Sequence, residues 1–250
     1  MTKMMIIRKL LMLLTFVSSM TPLASAQHLI TDDEKAAFDR MKTDWPNLEC
    51  FREANAKLGL PKEGENRVVF MGNSITIGWI EMHPEFFAGK PYVDRGISGQ
   101  TTPQMLVRFR QDVIDLKPAV VVILAGVNDI AGNTGPSTLE MIEGNLASMA
   151  EIAKTNNIKV IMCSVLPAYD FPWNPGLQPA EKIYALNQWI RKYAGENDHL
   201  YLDYFTSMAD EKKGLKKELT YDGVHPNLAG YKVMEPLVEE AIRAALKKMR

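Results

Sequence analysis

The segment Asp222-Gly223-Val224-His225-Pro226-Asn227 is the part of this chain best suited to proton transfer. Three residues apart, the aspartate can reach the imidazole around one turn, and Gly223 and Pro226 define that turn. A carboxylate holding Nδ1–H fixes the tautomer and stabilises the imidazolium formed when Nε2 takes a proton. By itself the segment also reads as a surface turn with a capping aspartate. Ser74, in Gly72-Asn73-Ser74, offers a hydroxyl just after an apolar run, although alone it reads as a helix N-cap. Gly99 has no side chain to block its N–H, and Asn128 can offer an amide N–H. With the Ser74 N–H they make three donors for a tetrahedral oxyanion, each worth roughly 3–4 kcal/mol in a transition state. Taken singly they are a turn glycine and an Asn-Asp turn bonded to its own backbone. Acyl transfer needs these parts together: nucleophile, base, orienter and oxyanion donors.

Something must carry these residues to one place. Short apolar runs recur, each followed by a small-residue turn: Val68 to Met71 before Gly72-Asn73-Ser74, Tyr92 to Asp94 before Gly96 to Gly99, and Ala119 to Leu124 before Gly126 to Asp129. Val160 to Val165 and Leu200 to Leu202 follow the same pattern. Their β-branched, near-continuous apolarity predicts strands buried on both faces. Helical stretches alternate with them: Thr102 to Leu116, Ser137 to Lys154, Ala180 to Tyr193 and Leu228 to Met249. The alternation predicts βαβ units and one three-layer α/β/α domain around a parallel sheet of about five strands. In such sheets ligands gather at the carboxyl ends of the strands, which is where Ser74, Gly99 and Asn128 fall. From Thr31 to Leu60 the pattern is helical, broken at Pro46, with a second helix carrying Cys50 and Phe51 towards Leu58.

Four of these segments, in this order, resemble the blocks of SGNH (GDSL-like) hydrolases. Val69 to Thr76 resembles the nucleophile block, and Gly96 to Thr102 the glycine block. Gly126-Val127-Asn128-Asp129 resembles the G-x-N-D block, and Asp222 to Pro226 the D-x-x-H block. The resemblance runs from about Arg67 to the C-terminus. It implies a flavodoxin-like fold and an esterase without metal or cofactor, with Ser74, His225 and Asp222 as its triad. It also implies Ser74, Gly99 and Asn128 as the oxyanion hole. The branches it suggests are the platelet-activating-factor acetylhydrolase-like and carbohydrate-esterase ones. Two positions depart from the pattern: Asn73 and Gln100 stand where the family usually has aspartate.

The remaining polar and aromatic residues carry weaker signals. His28, His83 and His199 share no metal-ligand spacing, and no Walker lysine follows Gly96 to Gly99. Asp129 reads as support for the Asn128 turn. Trp79, just beyond the nucleophile, and Tyr169, Phe171 and Trp173 in a proline-rich loop are candidates for a substrate cleft, Trp79 and Trp173 foremost. Cys163 lies in an apolar run, and both it and Cys50 are expected to be free thiols.

A net charge of −1 excludes a basic field for nucleic acid. Lys3, Arg8 and Lys9, the apolar run Leu10 to Val17, and Ala24-Ser25-Ala26 together read as a signal peptide over residues 1–26. Residues 27–250 are then one domain, with a helical extension at 27–66 and a catalytic core at 67–250. Export to the periplasm or beyond is expected, without stable membrane insertion after cleavage. The expected partner is a small-molecule or glycan ester. The leading reading is removal of acetyl or short acyl groups from carbohydrates or related small esters. A lysophospholipase or thioesterase, an acyltransferase with the same triad, and a non-catalytic binding module are the alternatives.

Overall fold

The computed structural model describes residues 31–247; the segment read as a signal peptide, and His28, lie outside them. Five strands form one sheet: β1 Val68–Gly72, β2 Tyr92–Gly96, β3 Val120–Leu124, β4 Lys159–Cys163 and β5 Leu200–Leu202. All pairings are parallel and the order is β2-β1-β3-β4-β5. This is the expected parallel α/β sheet, in the flavodoxin-like order. The helices are α1 Asp32–Thr43, α2 Arg52–Leu58, α3 Ser74–Met82, α4 Thr102–Asp112, α5 Val127–Ile130, α6 Leu139–Thr155, α7 Ala180–Glu196, α8 Phe205–Met208 and α9 Leu228–Lys247. Helices α3 and α9 pack on one face of the sheet, and α6 and α7 on the other, with α4 beside α6.

The strand chemistry explains the layering. β1 (Val-Val-Phe-Met-Gly) and β3 (Val-Val-Val-Ile-Leu) are buried at every position because helices cover both faces. After β1 the chain turns outward to β2, then crosses back to place β3 on the other side of β1. That reversal opens a crevice between the ends of β1 and β3. Ser74 follows β1 and Asn128 follows β3, so both stand at its rim. Gly96 is needed for the close approach of β2 to α3, since a Cβ there would lie 2.3 Å from the Ile77 nitrogen.

Two expectations change. Cys50 and Phe51 precede α2 instead of riding on it; the Phe51 ring faces the guanidinium groups of Arg95 and Arg108. The helix expected over Thr102 to Leu116 ends at Asp112, and Ile114–Leu116 forms a separate 3₁₀ turn. Asp112 is held there by Arg108 and Asn55. Cys50 and Cys163 are free thiols.

The chain divides into two units, 1–38 and 39–250, and the sheet belongs to the second. Residues 44–58 are bound into that unit through side-chain amides. Gln104 donates to the Trp45 carbonyl, Gln100 to Pro46 and Gln111 to Leu48, each at 2.7 Å.

Asp94, on β2, is buried; one carboxylate oxygen accepts the Gly96 N–H and the other has no partner. Burial pushes its carboxyl up to about 6, opposed by the Gly96 N–H and the Arg95 and Arg108 charges and reinforced by Glu81. An unfolded aspartate ionises near pH 4. Between about pH 4 and 6 the folded chain therefore keeps a proton that the unfolded chain has lost. Stability falls as pH rises through that window, by on the order of 2–3 kcal/mol. The unfolding free energy of Asp94→Asn minus that of the parent should grow from pH 4 to 6 and level off above, measured by urea titration. A difference constant across that range would refute the assignment.

Candidate active site

Asn73 follows β1 and caps α3: its side-chain oxygen accepts the Ile75 N–H at 3.1 Å. An asparagine can perform this cap as an aspartate would. Ser74 is then the first helical residue. Its N–H, like that of Gly99, has no acceptor among the described residues. Gly99 sits at φ +76°, where any side chain would be strained.

The Asp222–His225 loop arrives from the far end of the chain. Thr220 organises it: its hydroxyl donates to the His225 carbonyl at 2.6 Å and accepts the Gly223 N–H at 2.9 Å. Asp222 folds back on the loop, taking the backbone N–H groups of Val224 at 2.9 Å and His225 at 2.7 Å on one oxygen. Its other oxygen lies 2.7 Å from His225 Nδ1. Partial burial works against the carboxylate, but the His225 and Val224 N–H groups and the imidazole outweigh it and hold Asp222 below its usual range. His225 Nε2 lies 2.9 Å from Ser74 Oγ. Hydroxyl, imidazole and carboxylate thus form one hydrogen-bonded line across 151 residues of sequence.

Asn128 is buried on the short helix after β3 and donates one amide N–H to the Gln100 carbonyl at 2.9 Å. The amide has a second N–H for the crevice. Asp129 does not face a proton donor in the cleft. Its carboxylate accepts the Thr102 N–H at 3.0 Å and the Thr102 hydroxyl at 2.6 Å, tying α5 to the start of α4. Burial raises its pKa against those two bonds.

Gln100 has taken on a structural task. Its carbonyl side accepts Arg108 Nε at 2.5 Å while its amide donates to Pro46. Arg108 is fully buried and donates Nη2 to the carbonyls of Gly72, at 3.1 Å, and Arg95, at 2.8 Å. The ends of β1 and β2 and the Gly99 loop are therefore held by one guanidinium.

The cleft over Ser74 has a volume of about 400 Å³ and is lined by Ser74, Gly99, Asn128, His225 and Trp173, together with Gly78, Glu81, Ser98, Asn133 and Tyr221. That volume suits a small organic ligand. Trp173 stacks on the buried Phe171, donates to Asn133 and stands 5.9 Å from the His225 ring. Tyr169 is exposed and lines a neighbouring groove instead.

Trp79 is not in the cleft. It is 2% exposed, stacked between Phe86 and Tyr231 beneath α3. On a helix that starts at Ser74, position 79 faces the sheet, and a large apolar ring gains most there. Sequence reading did not single out the cleft residues Gly78, Glu81, Ser98, Asn133 and Tyr221. Glu81 follows Ser74 by seven positions, on the same helix face. Tyr221 adjoins Asp222.

The model of the GDSL-like Lipase/Acylhydrolase family matches residues 70–233. Esterase TesA of Pseudomonas aeruginosa is 27% identical over 190 residues, 74% of this chain and 86% of that protein. An acetylxylan esterase of Xylanibacter ruminicola is 27% identical over 219 residues, 73% of this chain but only 44% of that protein. The crystal structure of a GDSL-like lipase from Bacteroides thetaiotaomicron is 50% identical, with a TM-score of 0.79 over 81% of this chain and 100% of that one. The chain belongs to the GDSL-like lipase/acylhydrolase family. It is a carboxylic ester hydrolase. Among the described residues no helix is long and apolar enough to cross a membrane.

Gln100→Ala would strip a buried Arg108 donor and the Pro46 carbonyl of their partners at once. Equilibrium unfolding should show a loss of about 2–4 kcal/mol. A loss under about 1 kcal/mol would mean that neither bond matters to the fold.

Proposed function

We propose that the chain hydrolyses acetyl or other short acyl esters of carbohydrates or related small alcohols through an acyl-Ser74 intermediate. The observation that carries this is the Ser74 Oγ to His225 Nε2 contact of 2.9 Å, continued to Asp222 at 2.7 Å. In the first step His225 Nε2 takes the Ser74 proton as Oγ attacks the ester carbonyl. Charge on the carbonyl oxygen meets the free N–H groups of Ser74 and Gly99 and the second amide N–H of Asn128. Collapse breaks the bond to the alcohol, which leaves with the proton from His225. Water, deprotonated by the same imidazole, then attacks the acyl-serine and releases the acid and the Ser74 hydroxyl.

The small acyl group is supported by the cleft, whose volume is about 400 Å³ and whose lining near Ser74 includes Glu81, Ser98, Asn128 and Asn133. The acetylxylan esterase likeness points the same way. We also read residues 1–26 as an export signal, from the basic start, apolar run and Ala24-Ser25-Ala26, which places the mature enzyme in the periplasm or outside the cell. Residues 67–250 are read as the catalytic core.

Turnover of p-nitrophenyl esters of rising chain length tests the reading. Ser74→Ala should lower kcat on the acetate by about 10⁴-fold or more, and the parent should prefer acetate to octanoate. Acetate hydrolysis equal to the parent's would remove Ser74 as nucleophile, and a preference for long chains would remove deacylation of carbohydrates.

A further inference from the structure

Glu81 lines the cleft, exposed, and its carboxylate has no hydrogen bond or ion pair to any described residue. It stands seven positions after Ser74 on α3, about 10 Å along the helix axis. Residues 74, 78 and 81 share one helix face. The middle one is Gly78, so position 78 puts no side chain of its own between Ser74 and the carboxylate. No side chain fits there, because a Cβ would lie 2.7 Å from the Tyr231 hydroxyl. Tyr221 stands over this groove. Tyr221 is 65% exposed, and its ring lies parallel to the His225 imidazole, at 10° and 5.7 Å. The carboxylates of Asp222 and Glu81, after burial, push the Tyr221 phenol up, so Glu81 and Tyr221 are electrostatic neighbours.

We propose that the groove from Ser74 to Glu81 binds the alcohol half of the ester as a polyhydroxylated ring, with Glu81 accepting its hydroxyls and Tyr221 as its stacking face. This rests on the ester-hydrolysis reading of Ser74 and narrows it to one class of alcohol. An acyl chain laid in the groove would desolvate Glu81 without replacing its hydrogen bonds. A phosphate-bearing lipid would meet a like charge. Hydroxyls instead satisfy the carboxylate in a charge-assisted bond, and can reach the Ser98 hydroxyl and Tyr221 phenol as well. A cationic alcohol would also be drawn to a carboxylate beside aromatic rings. However, the rings of Trp173 and Tyr221 are each packed against His225, at 5.9 and 5.7 Å, and not around an enclosed space. A cation cage needs faces that enclose the charge.

The test compares the parent with Glu81→Ala, Glu81→Gln and Tyr221→Ala on three acetyl esters: acetylated xylo-oligosaccharides, p-nitrophenyl acetate and acetylcholine. Turnover of p-nitrophenyl acetate certifies that each variant is folded. For Glu81→Ala, kcat/KM on the oligosaccharide should fall at least tenfold further than on p-nitrophenyl acetate. Glu81→Gln, which still accepts a hydrogen bond, should recover part of that gap, and Tyr221→Ala should open a gap of its own. If the parent cleaves the oligosaccharide and the Glu81→Ala gap is absent, the inference is overturned while the ester-hydrolase reading stands. If the parent cleaves p-nitrophenyl acetate but no acetylated oligosaccharide, the carbohydrate reading falls and the inference with it. A gap confined to acetylcholine would assign the groove to a cation and overturn the inference.

Discussion

A guanidinium sealed from water must place its N–H groups on acceptors, and Arg108 does so at the one point where three loops meet. It binds the carbonyls of Gly72 and Arg95, the side chain of Gln100 and the carboxylate of Asp112. Removing water from a charge costs several kcal/mol, so the carbonyls that replace water cannot drift. Gly72 lies two residues before Ser74, and Gln100 directly follows Gly99. The Ser74 turn and the Gly99 loop are thereby set in one frame. Gln100 extends that frame to Pro46, beside the bonds of Gln104 to Trp45 and Gln111 to Leu48.

The crevice itself comes from connectivity. Because β3 lies on the opposite side of β1 from β2, the loops after β1 and β3 diverge and leave space at the sheet's carboxyl edge. Ser74, Gly99 and Asn128 reach that space from separate strands. His225 reaches it from a loop that Thr220 and Asp222 close on themselves with five short-range bonds. A loop so tied can present an imbalance of charge, an imidazole between a carboxylate and a hydroxyl, without rearranging first. Groups fixed in advance need no reorganisation when charge develops beside them.

Aromatic residues illustrate where reading a sequence goes astray. Trp79 follows Ser74 closely, and closeness in sequence suggested the cleft. A helix turns 100° per residue, so five positions carry the indole round to the sheet, where it stacks with Phe86 and Tyr231. Trp173 came from a loop and did reach the site, pinned by Phe171 and Asn133. Tyr221 and Glu81 carried no motif at all. One becomes visible only when the His225 loop closes, the other only when α3 is drawn as a helix from its cap.

Taken by itself, the sequence determined what local chemistry can determine. Continuous β-branched runs between helical periods dictated a parallel sheet, and the spacing of Asp222 and His225 dictated their pairing, because both depend on near neighbours. It also marked Gly99, whose φ of +76° is a local demand. The tertiary structure decided the rest. It brought His225 to Ser74 and bound residues 44–58 into the same unit as the sheet. It turned Gln100 from a departure into a bridge, and it sorted the aromatic rings between core and cleft. Each of those outcomes depends on which strands are neighbours and which helix face meets them. That is settled by burial of the whole core at once, not by any stretch of residues read in order.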